Sequence, residues 1–227
     1  MHFTPEALKF LRGLKRNNDR EWFEARRDIF EREIKAPMYA VIAEINDALA
    51  GFAPEHVRDP RKAMFRIYRD TRFSADKRPY KEHLGVWWVR SGMEKTSGAG
   101  FYFHIAPKEV VVAAGAYMPT PEQLLAIRRH IDASYAEVRG ILDGRKLRSL
   151  MTEWDGEPMK RVPKGFSQDS PAAELLKCRK WGVSATLPAE LATDPKLVKE
   201  VARRFEAAAP LIRFLNAPIL PVRRPIA

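Results

Sequence analysis

With 227 residues, 45% hydrophobic and 30% charged, the chain can bury a large core and is too apolar for an intrinsically disordered protein. Lys and Arg number 40 against 29 Asp and Glu, a formal charge of +11, which favours phosphorylated or polyanionic partners without requiring them. No run approaches the roughly 20 apolar residues that span a bilayer. The opening Met1-His2-Phe3-Thr4 has no basic head before an apolar run, and the single Cys178 cannot form an internal disulfide. The expectation is a cytoplasmic protein with no membrane contact.

Thr4-Pro5-Glu6 reads as a helix start, with Thr as N-cap and Pro in the first turn. Leu8, Leu11 and Leu14 form its apolar stripe, and Asn17-Asn18-Asp19 ends it. Asn18 and Glu21 have capping-box spacing and open a long helix through Trp22, Phe23, Ile29 and Phe30. Pro37 either kinks this helix or opens the next one, which carries Met38, Val41, Ile42, Ile45 and Leu49 at helical spacing.

After a connection at 51–60 the apolar period changes to two. Phe65 and Ile67 alternate with Arg66 and Tyr68 as in a strand. Residues 85–90, 101–105 and 110–114 are further apolar runs, with a flexible connection at 91–100. The last two runs pair as an antiparallel hairpin that ends at Gly115. Thr120 and Gln123 form a capping box for a helix that buries Leu124, Ile127, Ile131, Tyr135 and Val138. A short basic helix at 145–151, a long loop at 154–170, a short helix at 171–177 and a final strand at 181–187 follow. The last helix carries Leu197, Val201 and Phe205 and breaks at Pro210. Helices, then strands, then helices predict an α+β fold. Its antiparallel sheet has about four to five strands, packed against N-terminal and C-terminal helices. One domain covers 1–217, with a Pro/Arg-rich tail at 218–227.

The segment 58–82 holds nine Lys/Arg and four Asp/Glu, a local net of +5. Residues two apart in a strand share a face, so Arg66, Tyr68 and Asp70 would point together. Arg66, Arg69, Arg72, Lys77 and Lys81 are the candidate ligands for a phosphorylated or other anionic small molecule, with a hydroxyl from Tyr80. Asp70 and Asp76 would orient the cations. The alternative of equal weight is a structural network of Arg66–Asp70 and Arg72–Asp76 pairs stapling a loop. If the protein is an enzyme, Asp70 or His83 is the candidate for proton transfer. Lys160 and Lys164 stand around a Pro/Gly turn and would make a second wall of the same pocket. A solvated loop is the plainer account of them.

The segment 66–81, the stretch Asn17-Asn18-Asp19-Arg20-Glu21-Trp22-Phe23, and Pro163-Lys164-Gly165-Phe166 near Asp169 resemble the family DUF2461 over nearly the whole chain, to about Leu215. The most specific part is the pattern RD-x-RFS-x-DK-x-PYK from Arg69 to Lys81. In that family a His commonly follows the Asp matching Asp169, whereas Ser170 stands here. The resemblance implies a shared domain architecture and supplies no reaction.

His2, His56, His83, His104 and His130 show no zinc-ligand spacing, and one cysteine cannot complete a cluster. No metal or cofactor is implied. Cys178 reads as a core thiol rather than a nucleophile. Trp87, Trp88, Phe101 and Phe103 would stack bases if they lined an open sheet, so a nucleic-acid-binding module is a second functional reading. A core role for these aromatics is the plainer one. The third reading is a structural or protein-interaction domain without catalysis. Oligomeric state is not legible.

Overall fold

The computed structural model describes residues 1–93 and 97–219. The expected connection at 91–100 and the expected tail at 218–227 therefore lie partly outside the described residues. The fold is α+β. Five strands, β1 (Leu84–Val89), β2 (Ala99–Ile105), β3 (Glu109–Ala116), β4 (Glu153–Asp155) and β5 (Trp181–Pro188), form one antiparallel sheet in the order β1-β2-β3-β5-β4. Strand β4 falls where the sequence predicts only loop. It is three residues long and all three are exposed, so it carries no buried alternation to reveal it.

The period of two divides each strand between two environments. Leu84, Val86 and Trp88, then Phe101, Phe103 and Ile105, then Val110, Val112 and Ala114, are buried on one face. Helices Ala36–Phe52 and Leu197–Asn216 lie in the same core, and Phe205 of the latter meets the rings of Trp88 and Phe101 at 5.4 and 4.9 Å. The opposite face is different in kind. Register aligns Val89, Gly100, Gly115, Gly182 and Asp155 in one row across the five strands, and Trp87, Tyr102, Ala113, Ser184 and Glu153 in the next.

Two prolines stand within helices. Pro37 is the second residue of Ala36–Phe52. A π-helical turn, Phe30–Lys35, leads into it, and the helical path is unbroken. Pro210 lies inside Leu197–Asn216 and does not end it. An interior proline costs about 3 kcal/mol, and the burial of Leu211, Ile212, Phe214 and Leu215 beyond it offsets that. The Thr120–Gln123 capping box forms as expected. The N-cap before Arg20–Glu24, however, is Asp19, whose carboxylate accepts from the Trp22 N–H at 2.8 Å; Asn18 is used elsewhere.

Candidate functional site

The segment 66–81 folds back on itself rather than joining the sheet as a strand. Tyr68 and Tyr80 form an isolated bridge, Lys81 N–H donates to Ile67 at 2.8 Å, and Arg69 N–H donates to Pro79 at 2.9 Å. Pro79 has no N–H to return, so the ladder stops there. Tyr80 is buried and stacks on Phe23 with centroids 4.1 Å apart. Its backbone is held by Asn18.

Most of the candidate cations in this segment are met by carboxylates or carbonyls of the segment itself. Arg69 reaches Asp76 at 2.5 Å, Arg72 reaches Asp70 at 2.8 Å, and Arg78 joins Asp76 at 2.7 Å and also Glu82. Lys77 donates to the Thr71 carbonyl at 3.0 Å. These hydrogen bonds hold the Asp70 carboxyl down at about 2 and push Asp76 well below the usual carboxylate range. The pairing differs from the expected one: Asp70 serves Arg72, and Asp76 serves Arg69 and Arg78. Arg66 is exposed. Lys160 and Lys164 are exposed too and line neither of the two cavities described below. Ser170 donates to Asp132 at 2.7 Å.

Among the predicted site residues, Lys81 and His83 line a cavity. This cavity, about 480 Å³, lies on the face of the sheet away from the core. Its floor is made by Val111, Ala113, Gly115, Gly182 and Ser184, where the strands present little or no side chain. One wall is Phe65, Lys81, His83, Trp87, Tyr102 and His104; the other is Tyr117, Asp155 and Lys180. Glycines make room for the rings. A Cβ at Gly85 would stand 2.8 Å from the Tyr102 hydroxyl, and one at Gly100 would stand 3.0 Å from the Trp87 ring. At Gly115 it would stand 2.1 Å from the Trp181 carbonyl oxygen. A glycine inside a strand often marks such close approach.

The two walls differ electrostatically. Lys180 is matched by Asp155 at 2.8 Å, which raises its pKa, and lies 5.0 Å over the Tyr117 ring. Lys81 is half-buried, lies 5.1 Å over the Phe65 ring, and has no carboxylate partner among the described residues. Burial lowers its pKa, and Arg66 lowers it further. Burial also lowers His83, with Lys81 adding to the shift, and holds His104 down at about 3 with His83 adding to it. The two imidazoles lie 4.8 Å apart. Tyr102 is pushed up to about 12 by burial, and its hydroxyl is 3.0 Å from His104 Nδ1. This end of the cavity thus gathers unbalanced positive charge and neutral, tautomerisable groups.

The chain matches the family described as "Conserved hypothetical protein (DUF2461)" over residues 6–214. It belongs to DUF2461. No curated protein matches it, and no solved structure does. In this DUF2461 chain the motif from Arg69 to Lys81 forms a closed ion-paired loop whose last residue delivers Lys81 to the cavity.

Tyr102, His104 and Tyr117 are cavity residues that sequence reasoning did not select, and Trp87 was read only as an aromatic for stacking bases. The usable signal was the glycine set. Gly100, Gly115 and Gly182 each occupy a strand position on the same face, and Tyr102 and His104 alternate with core residues on that face. Cys178 is buried, and burial pushes its thiol up to about 11, which fits the core role expected for it. No group of three or more His, Cys, Asp or Glu side chains among the described residues is placed to hold a metal ion. No helix among them is long and apolar enough to cross a membrane.

Proposed function

We propose that this DUF2461 member binds a small anionic molecule with an apolar body in the open-face cavity, with the acidic group at Lys81. The observation that carries this reading is the half-buried Lys81 ammonium, lacking a carboxylate partner among the described residues, on the wall above the glycine floor. An ammonium that has lost water and has no counter-ion gains a charge-assisted hydrogen bond from any carboxylate or phosphate that reaches it. The volume falls within the about 300–1,000 Å³ typical of small-molecule sites. The aromatic walls of Trp87, Tyr102 and Tyr117 favour a flat or unsaturated body.

The ligand class is the one expected from the sequence. Its place shifts from the guanidinium cluster, where internal carboxylates already sit, to the sheet face beside it. The nucleic-acid reading has less to draw on, because Trp88, Phe101 and Phe103 face the core. A cytoplasmic setting belongs to the same proposal and leans on the one free, buried cysteine.

Calorimetric titration with phenyl phosphate and with benzoate tests the reading. Saturable binding of at least one is expected, weakened about tenfold or more in Lys81→Met. Equal affinity in the variant, or no binding of either probe, overturns it. Binding of single-stranded oligonucleotides that falls steeply with salt would favour the nucleic-acid reading instead.

A further inference from the structure

The open face holds a second pattern that anion binding does not use. Tyr102 and His104 are two residues apart on β2, so they share a face. His104 pairs across the hairpin with Val111, and Glu109, two residues before Val111, emerges on that same face. The His104 imidazole therefore stands between a phenol and a carboxylate. Its Nδ1 lies 3.0 Å from the Tyr102 hydroxyl, and its Nε2 lies 3.8 Å from Glu109 Oε1. The second separation exceeds hydrogen-bond length, and Nε2 is buried with no hydrogen-bond partner.

The imidazole is also a partition. On one side, with Tyr102, it lines the large cavity. On the other, with Glu109, it lines a smaller one of about 270 Å³ that also has Lys15, Glu82 and Lys108 at its edge. The Glu109 side chain is 45% exposed, so this second cavity connects the relay to solvent.

We propose that Glu109, His104 and Tyr102 form a carboxylate–imidazole–phenol relay that exchanges protons between solvent and a molecule bound in the large cavity, with the Tyr102 oxygen as the reacting atom. This rests on the cavity reading above. The order of groups is that of a hydroxyl activated by a base which a third residue orients. Tyr102 and His104 touch the bound molecule's space; Glu109 acts through His104 and is a positioning residue. Burial disfavours both phenolate and imidazolium, so the proton moves as a concerted shift. As the Tyr102 O–H proton passes to Nδ1, the Nε2 proton passes to Glu109, and the phenol oxygen takes a proton from the ligand. Run backwards, the same shift protonates the ligand. In apo structures such contacts are often long and tighten when the site fills.

The test uses p-nitrophenyl acetate, an uncharged probe, on the full chain. In the probe reaction the Tyr102 oxygen bonds to the acetyl carbon, the bond to p-nitrophenolate breaks, and the phenol proton goes to His104. Acetylation is read residue by residue by mass spectrometry, with Tyr117 as internal reference because it lines the same cavity and is 56% exposed. A buried phenol held only by a structural hydrogen bond would react more slowly than Tyr117. The relay predicts the opposite: Tyr102 reacts faster than Tyr117, about a hundredfold slower in His104→Gln, and measurably slower in Glu109→Gln. Tyr102 reacting no faster than Tyr117, or reacting unchanged in His104→Gln, overturns the proposal. The ester carries no charge, so the two ideas fail separately. Fast Tyr102 acetylation without binding of phenyl phosphate or benzoate removes the ligand reading alone, and slow acetylation with tight binding of either removes the relay alone.

Discussion

Asn18 holds Tyr80 by both of its backbone polar groups. The side-chain amide donates to the Tyr80 carbonyl at 3.0 Å, and Oδ1 accepts from the Tyr80 N–H at 3.0 Å. One asparagine thus stands in for a strand neighbour at the point where the basic loop returns to the sheet. The terminal helix repeats the device, with Asn216 bonding both the N–H and the carbonyl of Ala99 at 2.8 and 3.0 Å. The two clamps fix the entrance to β2 and the chain just before Lys81.

Asn18→Ala leaves two partly buried backbone groups unmet. It is expected to lower unfolding stability by about 2 kcal/mol. Urea denaturation, read as a shift in midpoint at constant slope, measures this. The neighbouring Asn17→Ala should cost less, since its amide bonds only the carbonyl at the end of its own helix.

The glycine floor sets a stricter limit. A Cβ at Gly115 would meet backbone, the Trp181 carbonyl at 2.1 Å and the Gly182 Cα at 2.6 Å, and neither can swing aside. Gly115→Ala is expected to destabilise by more than about 3 kcal/mol or to prevent folding. Gly51→Ala, where a Cβ would meet nothing within 4 Å, should be neutral or slightly stabilising because its helix prefers alanine. Thermal melts of the two variants side by side provide the check.

Much of this architecture was legible beforehand. Alternating apolar residues in β1, β2 and β3 mark the core face, and Thr120 with Gln123 marks a helix start, because burial periodicity and capping are local rules. The cavity was not legible. Its floor is a patch of small residues, and it forms only when Ala113 and Gly115 of β3 fall beside Ser184 and Gly182 of β5. The basic loop drew attention by its density of charge, yet each of Asp70 and Asp76 sits close enough in sequence to claim its own arginine. Only register tells which cation, Lys81, is left facing the sheet.

The ion-paired loop should respond to acid in a defined window. Asp70 is depressed from its ordinary 3.8 to about 2 in the folded protein, and Asp76 is depressed as well. A carboxylate with a lowered folded pKa contributes stability that is complete above the unfolded value and lost as pH falls through the folded value. The loss therefore begins near pH 4, is largely complete for Asp70 near pH 2, and continues below that for Asp76. Asp70 is exposed and Asp76 partly so, and both are screened by salt, so Asp70→Asn should flatten the stability curve in this window only slightly. Denaturation midpoints between pH 2 and 5, at low and high salt, test it.

His104 has the opposite chemistry and its own window. Its folded pKa, about 3, lies below the ordinary 6.5. Between these values the unfolded chain binds the extra proton, so stability falls as pH drops from 6.5 toward 3. Nuclear magnetic resonance should find the His104 ring neutral across the neutral range and still neutral at pH 5. His104→Gln should remove part of the acid sensitivity in that interval.

The most direct measurement of ligand binding is an amide-resolved titration of the protein with phenyl phosphate and with benzoate by nuclear magnetic resonance. Saturating shifts are predicted at Gly115, Gly182 and Lys81, with little change at Arg69, Arg72 and Arg78. Shifts confined to those arginines, or none that saturate, would contradict the account.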